Sequence, residues 1–201
     1  MLQIGSKYKI ARRLGPIFEK TQSQKFALRQ QRKAQGAKRG RRPTQSEYNK
    51  QLLEKQKLRY TYGLKEKQLS SYVKQALAAP GDTSAALYEL LERRLDSVVY
   101  RMGLAETRRM ARQMVSHGHL MYNGRKVTIP SIQVRTSDVV SVREGSQGNA
   151  IFSELATKRK DYKVPSWMNM DWKQLASTIT ELPATSIYDF DFKRIIEFYT
   201  R

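Results

Sequence analysis

The chain has 201 residues, enough for one domain or two around a real hydrophobic core. Thirty-eight Lys and Arg against eighteen Asp and Glu leave a formal charge of +20, which repels itself unless a polyanion lies against it, so nucleic acid or an anionic membrane is the partner to consider. Cysteine is absent, which excludes disulfides, thiolate zinc sites and iron–sulfur clusters; no apolar run reaches the roughly 18 residues of a bilayer span, and no secretory segment follows Met1.

A soluble, intracellular protein is therefore expected. The only histidines, His117 and His119, stand two apart with no acidic ligand nearby, so no metal and no cofactor is expected.

Charge is concentrated at the start. Residues 1–80 hold twenty basic and four acidic side chains (+16), residues 81–145 ten and seven (+3), and residues 146–201 eight and seven (+1). Over residues 1–43 the clusters Lys7, Lys9, Arg12, Arg13 and then Arg32, Lys33, Lys38, Arg39, Arg41, Arg42 come with few apolar residues. The expectation is a basic, extended arm that orders on binding phosphates. Thr44-Gln45-Ser46-Glu47 has the spacing of a capping box and predicts a helix over 44–60. Leu52, Leu53 and Gln56 would face inward, with Lys50, Lys55, Lys57 and Arg59 on solvent or phosphate. Gly63 ends it.

A second helix is predicted over 65–79, with Leu69, Tyr72, Val73, Ala76 and Leu77 on one stripe before Pro80-Gly81. One of Asp82, Thr83 and Ser84 caps a third, striped by Leu87, Leu90 and Leu91. From Glu92 to Arg143 the pattern tightens. Leu95, Val98, Val99 and Met102 make one amphipathic helix; Thr107 caps another, whose Met110, Ala111 and Met114 share a face. Arg108, Arg109, Arg112 and Ser116 fall on the opposite face, so three guanidinium groups are expected to point outward together. Gly118 stops that helix. Leu120–Tyr122 and residues 126–129 flank Asn123-Gly124, a hairpin dipeptide, and Val139, Val140 and Val142 supply a further strand. Beyond it, residues 151–160 read as helical, and the tail carries strand-like pieces up to Ile195, Ile196, Phe198 and Tyr199.

The sequences Arg94-Leu95-Asp96, Thr107-Arg108, Ala111-Arg112-Gln113, Ser116-His117-Gly118-His119 and Tyr122-Asn123-Gly124 resemble the RNA-binding module named after small-ribosomal-subunit protein S4. SEYNKQLLEKQKLRYTYGLKEKQLSSYV and the terminal run extend the likeness over nearly the whole chain, which is identified as a member of that ribosomal family. The resemblance implies an α+β fold. A mainly helical first domain (44–91 plus 164–201) is interrupted by a small α/β module (92–163), a helix pair on a short antiparallel sheet, behind the arm (1–43). Many relatives carry a zinc knuckle near the start; here Tyr8 and Ala11 stand where a Cys-x-x-Cys pair falls, so the chain resembles the cysteine-free branch.

The family likeness further implies early binding to a multi-helix junction in the 5′ part of small-subunit ribosomal RNA, contact with protein S5, a place near where mRNA enters, and an influence on decoding accuracy. Some relatives repress their own operon. A bacterial, ribosome-bound location is implied, with a plastid or other organelle as the alternative. Candidate RNA contacts are Arg12, Arg13, Lys38, Arg39, Arg41, Arg42, Lys55, Lys57, Arg59, Arg93, Arg94, Arg108, Arg109, Arg112, Arg125 and Lys126. Ser116, His117 and Asn123 join them as hydrogen-bonding groups, Asn123-Gly124 serving equally as a turn.

Two rivals are weaker. Pseudouridine synthases carry a catalytic Asp in an Arg-Leu-Asp sequence, but Asp96 sits in an amphipathic helix among Arg93, Arg94 and Arg101, where an ion pair is the ordinary explanation. The forty or so residues after the module are too few for a catalytic domain at usual sizes. A peripheral membrane protein needs a long amphipathic helix with an exposed apolar face, which is not found. Tyr48, Tyr60, Tyr62 and Tyr72 read as packing residues.

Overall fold

The computed structural model describes residues 4–18, 21–36, 46–153, 155, 162–184 and 190–201. The chain forms two compact units, residues 1–78 with 187–201, and residues 79–186.

In the first unit, two helices, α1 (Lys7–Leu14) and α2 (Gln24–Gly36), occupy the described part of the stretch expected to be extended. Ala11 of α1 and Thr21, just before α2, are buried, and Thr21 Oγ1 donates to Phe18 O at 2.6 Å. Helix α3 (Glu47–Tyr62) is capped by Ser46, whose hydroxyl accepts from Asn49 N at 3.3 Å; Thr44 lies outside the described residues. Gly63 closes the helix with φ +62°, a left-handed conformation that glycine takes at no steric cost.

The inward face of α3 is not the one expected. Gln51, Lys55, Leu58 and Tyr62 are buried, whereas Leu52, Leu53 and Gln56 are half-buried. A lysine can sit inside because its charge is answered there. The Lys55 ammonium donates to Glu66 Oε1 at 2.8 Å and lies 4.2 Å from the Phe198 ring centroid. Glu66 opens α4 (Glu66–Ala78), and Phe198 belongs to the last helix, α10 (Phe192–Thr200), which packs along α3. Gln51 Nε2 donates to Glu197 at 3.0 Å in the same seam, and Phe192 and Ile195 supply its apolar contact.

The second unit opens with α5 (Thr83–Glu92), capped by Asp82, whose carboxylate accepts from Ser84 N at 3.0 Å and Ala85 N at 3.3 Å. Helices α6 (Leu95–Arg101) and α7 (Arg108–Ser116) pack together, and Thr107 caps α7 by accepting from Met110 N at 3.1 Å. At the end of α7 the chain closes in a Schellman motif: Gly118 N donates to Val115 O at 2.9 Å and His119 N to Met114 O at 3.1 Å, with Gly118 at φ +72°.

A five-stranded antiparallel sheet follows in the order β2-β1-β3-β5-β4, from β1 (Leu120–Tyr122), β2 (Arg125–Val127), β3 (Val139–Val142), β4 (Met168–Asp171) and β5 (Ala176–Ile179). Asn123 at φ +48° and Gly124 at φ +76° make the two-residue turn that pairs Tyr122 with Arg125 and Leu120 with Val127. Two short helices, α8 (Glu144–Gln147) and α9 (Ala150–Ser153), lie between β3 and β4; most of the helix expected over 151–160 lies outside the described residues. Leu95, Val98, Val99, Met102, Ala111 and Val115 from the helix pair meet Leu120, Val140, Val142 and Ile179 from the sheet in one core.

The division between the two units falls at 78/79 and 186/187. Strand β3 leaves an edge of unpaired backbone groups, and β5 takes it, aligning Val140 with Ser177. That pairing draws residues 164–181 into the second unit. α5 joins it too, through Gln133 Nε2 donating to Leu90 O at 3.1 Å and Val134 N to Arg93 O at 2.9 Å.

Candidate nucleic-acid interface

Helix α7 carries the densest run of arginines in the second unit, and its guanidinium groups do not share one fate. Asp96, 2 % exposed at the start of α6, accepts from Arg94 Nε at 3.0 Å and Nη2 at 2.8 Å, and from Arg112 Nε at 2.7 Å. Arg94 is itself 2 % exposed. Four residues earlier, the fully buried Glu92 accepts from Arg101 Nε at 2.7 Å and from Arg108 Nη2 at 2.9 Å. Arg108 also stacks over the Tyr100 ring, 4.5 Å from its centroid. Two carboxylates thus sit under four guanidinium groups, and the local charge stays positive.

The expected outward trio is corrected by this cluster. Buried carboxylates need charged partners, and Arg108 and Arg112 join Arg101 and Arg94 in supplying them. Arg94 cannot be a surface RNA contact, because its fork is spent on Asp96 inside the unit. Arg93 is half-buried: Nε donates to Val134 O at 2.9 Å and Nη1 to Glu89 at 2.8 Å. Arg109, Ser116 and His117 remain exposed on α7 and its cap, and Arg125 and Lys126 are exposed on the hairpin.

Asn123 is spent on the fold as well. Its Nδ2 donates to Asp138 Oδ1 and its Oδ1 accepts from Val139 N, both at 2.8 Å. Asp138 is the hub of that corner, since the Tyr122 hydroxyl and Arg135 N also donate to it at 2.5 Å. Burial works against its charge, yet the hydrogen bonds from Tyr122, Asn123 and the Arg135 amide outweigh burial and hold the carboxyl below its ordinary value. Burial, then the bond and charge of Asp138, push the Tyr122 phenol up to about 12. Asn123 therefore anchors the hairpin tip that presents Arg125 and Lys126.

In the first unit Arg12 and Arg13 are exposed on α1, as are Lys25, Arg29 and Arg32 on α2. Lys38, Arg39, Arg41 and Arg42 lie outside the described residues. On α3 the expected trio turns to internal partners: Lys55 and Arg59 hold Glu66 at 2.8 and 3.2 Å, while Lys57 is 3.7 Å from Glu54 and 5.5 Å from the Phe190 ring centroid. Burial opposes the charge of Glu66, but hydrogen bonds from Lys55, Tyr199 and Arg59 win and lower its pKa. Tyr199, donating to Glu66 at 2.7 Å, is displaced upward by burial and by that carboxylate.

The description Ribosomal protein S4/S9 N-terminal domain fits residues 3–92, and S4 domain fits residues 93–140. The small ribosomal subunit protein uS4 of Persephonella marina is 41 % identical over 201 residues, covering 98 % of each chain. The chain belongs to the uS4 family. The Roseiflexus sp. (strain RS-1) uS4 is 40 % identical over 96 % of both chains, and that of Mycobacterium avium (strain 104) is 44 % identical over 78 % of this chain and 79 % of its own.

Sequence reasoning missed Arg101 as a partner of Glu92 and missed the exposed Arg135, Lys25 and Arg29. Lys25 and Arg29 stand one turn apart on a helix without acidic neighbours, a signal that periodicity carries. Arg101 gave none, because its partner is nine residues away.

Proposed function

We propose that this chain is a structural, non-catalytic constituent of the small ribosomal subunit that binds small-subunit ribosomal RNA and helps nucleate assembly. The observation that carries the reading is the cation surplus left once the internal pairs are made: Arg12, Arg13, Arg109, Arg125 and Lys126 all face solvent on a chain of charge +20. Guanidinium forks match phosphate oxygens, and a folded RNA junction offers closely spaced phosphates and 2′-hydroxyls. The names of the relatives point to the same subunit. An enzymatic role for Asp96 has nothing to work with, since both its oxygens are held by arginines in a buried setting.

The finer parts of the reading are contact with protein S5, a place near where mRNA enters, a contribution to decoding accuracy, and a bacterial ribosome as the location. Among the described residues no helix is long and apolar enough to cross a membrane. Filter binding of the full chain to a small-subunit rRNA transcript across a salt series tests the central claim. Affinity should fall steeply with salt, by about 0.7 to 0.9 in log–log slope per phosphate contacted. Salt-independent or absent binding would end it.

A further inference from the structure

Helices α1 and α2 enclose an open groove of about 470 Å³ lined by Tyr8, Arg12, Lys25, Phe26, Arg29 and others. Its chemistry differs from that of the other cationic surfaces, because an aromatic pair stands among the charges. The Tyr8 and Phe26 rings are 5.8 Å apart at 42°, so Phe26 supports Tyr8, which stays 50 % exposed. Arg12 Nε donates to Tyr8 O at 3.2 Å, fixing the guanidinium on the same turn as the ring. Among the described residues lining the groove there is no carboxylate.

We propose that this groove is a subsite for one unstacked RNA base, with Tyr8 as the stacking surface and Arg12 and Arg29 on the flanking phosphates. The subsite rests on the RNA-binding reading above and adds a preference for single-stranded nucleotides. A surface that merely tracks phosphates needs no aromatic ring, whereas a ring half in solvent on a groove wall shared with Arg12 and Arg29 leaves a face on which a base can stack. Every base has a π-face, so an aromatic platform beside cations takes single strands with little regard for sequence, whereas duplex RNA keeps its bases stacked and out of reach. The volume is of the size that holds small ligands, about 300 to 1,000 Å³. Gln30, on the same wall, offers an amide that donates to and accepts from a base edge.

The test uses the full chain and two probes, a ten-nucleotide oligoadenylate and a ten-base-pair RNA duplex, in filter binding across a potassium chloride series. Tyr8→Leu, which keeps bulk against Phe26 but lacks the π-face, should lose about tenfold on the single strand with an unchanged salt slope and no loss on the duplex. Tyr8→Phe and Tyr8→Trp should retain native affinity. Joint Arg12→Ala and Arg29→Ala should lower the single-strand slope by about 1.4. The subsite is overturned if Tyr8→Leu binds oligoadenylate like the native chain, if Tyr8→Phe fails as badly as Tyr8→Leu, or if the loss is equal on duplex. With salt-sensitive rRNA binding intact, those results leave the broader reading standing. If the native chain binds no RNA at all, both fall.

Discussion

The two compact units bury charge by different means. In the first, a single ammonium, Lys55, is roofed by aromatic rings and tied to one carboxylate that Arg59 and Tyr199 share. In the second, Glu92 and Asp96 lie almost without solvent beneath Arg94, Arg101, Arg108 and Arg112. The first arrangement carries one positive charge in surplus and fastens α10 to α3 and α4. The second keeps a positive surplus under the helix expected to meet RNA. The lesson is that a count of arginines overstates the number available to phosphate, since several are committed to carboxylates of the fold.

The largest effect expected from this contrast follows removal of Asp96. Asp96→Ala leaves Arg94 buried without its carboxylate, and stranding one partner of a buried pair costs about 3–5 kcal/mol. Urea denaturation of the variant should show a matching loss of stability. A change under 1 kcal/mol would mean that water reaches Arg94 and that the cluster is not a buried network.

Next in size is the split between committed and open cations. Joint replacement of Arg109, Arg125 and Lys126 by Ala should flatten the rRNA salt slope by about 2 and leave the urea midpoint near native. Arg112→Ala, by contrast, should move the midpoint, because it uncovers Asp96. Equal effects of the two sets on stability would erase the distinction drawn between them.

What the sequence made legible was local. Asp82 and Thr107 cap helices because a side-chain oxygen reaches an amide two or three residues on, and Asn123-Gly124 turns because its backbone tolerates positive φ. The inward turn of Arg108 and Arg112 was not legible, since each answers an acid sixteen residues earlier and only the folding of α7 against α6 and the end of α5 brings them together. Lys55 was misjudged for the same reason, its ring and carboxylate partners coming from α10 and α4. The pairing of β5 with β3 was not legible either, because antiparallel pairing across a long connection leaves no periodic trace.

Removing Glu66 should have a smaller, pH-dependent effect. Its folded pKa lies below the ordinary 4.5, so the stability it contributes is complete above the unfolded value and is lost as pH falls through the folded one. Glu66→Gln should therefore lower stability by about 1 kcal/mol at neutral pH and shrink the difference from native in acid, since the carboxylate is partly solvated. An acid limb identical to native would show that Lys55 is held by the Phe198 ring alone.

Tyr122 marks the smallest step, and it runs in the opposite direction. Its phenol titrates near 12 in the folded chain against an ordinary value of 10, so the bond to Asp138 stabilises fully below pH 10 and is lost as pH rises through 12. Tyr122→Phe should cost about 0.5–1.5 kcal/mol at neutral pH, because Asp138 still accepts from Asn123 and the Arg135 amide. The hairpin tip would keep its turn yet lose one tether, so amide exchange at Asn123 and Arg125 should quicken ahead of global unfolding. Unchanged exchange there would mean that Asn123 alone fixes the tip. Arg125 and Lys126 would then owe their presentation to the two-residue turn and not to the carboxylate beneath it.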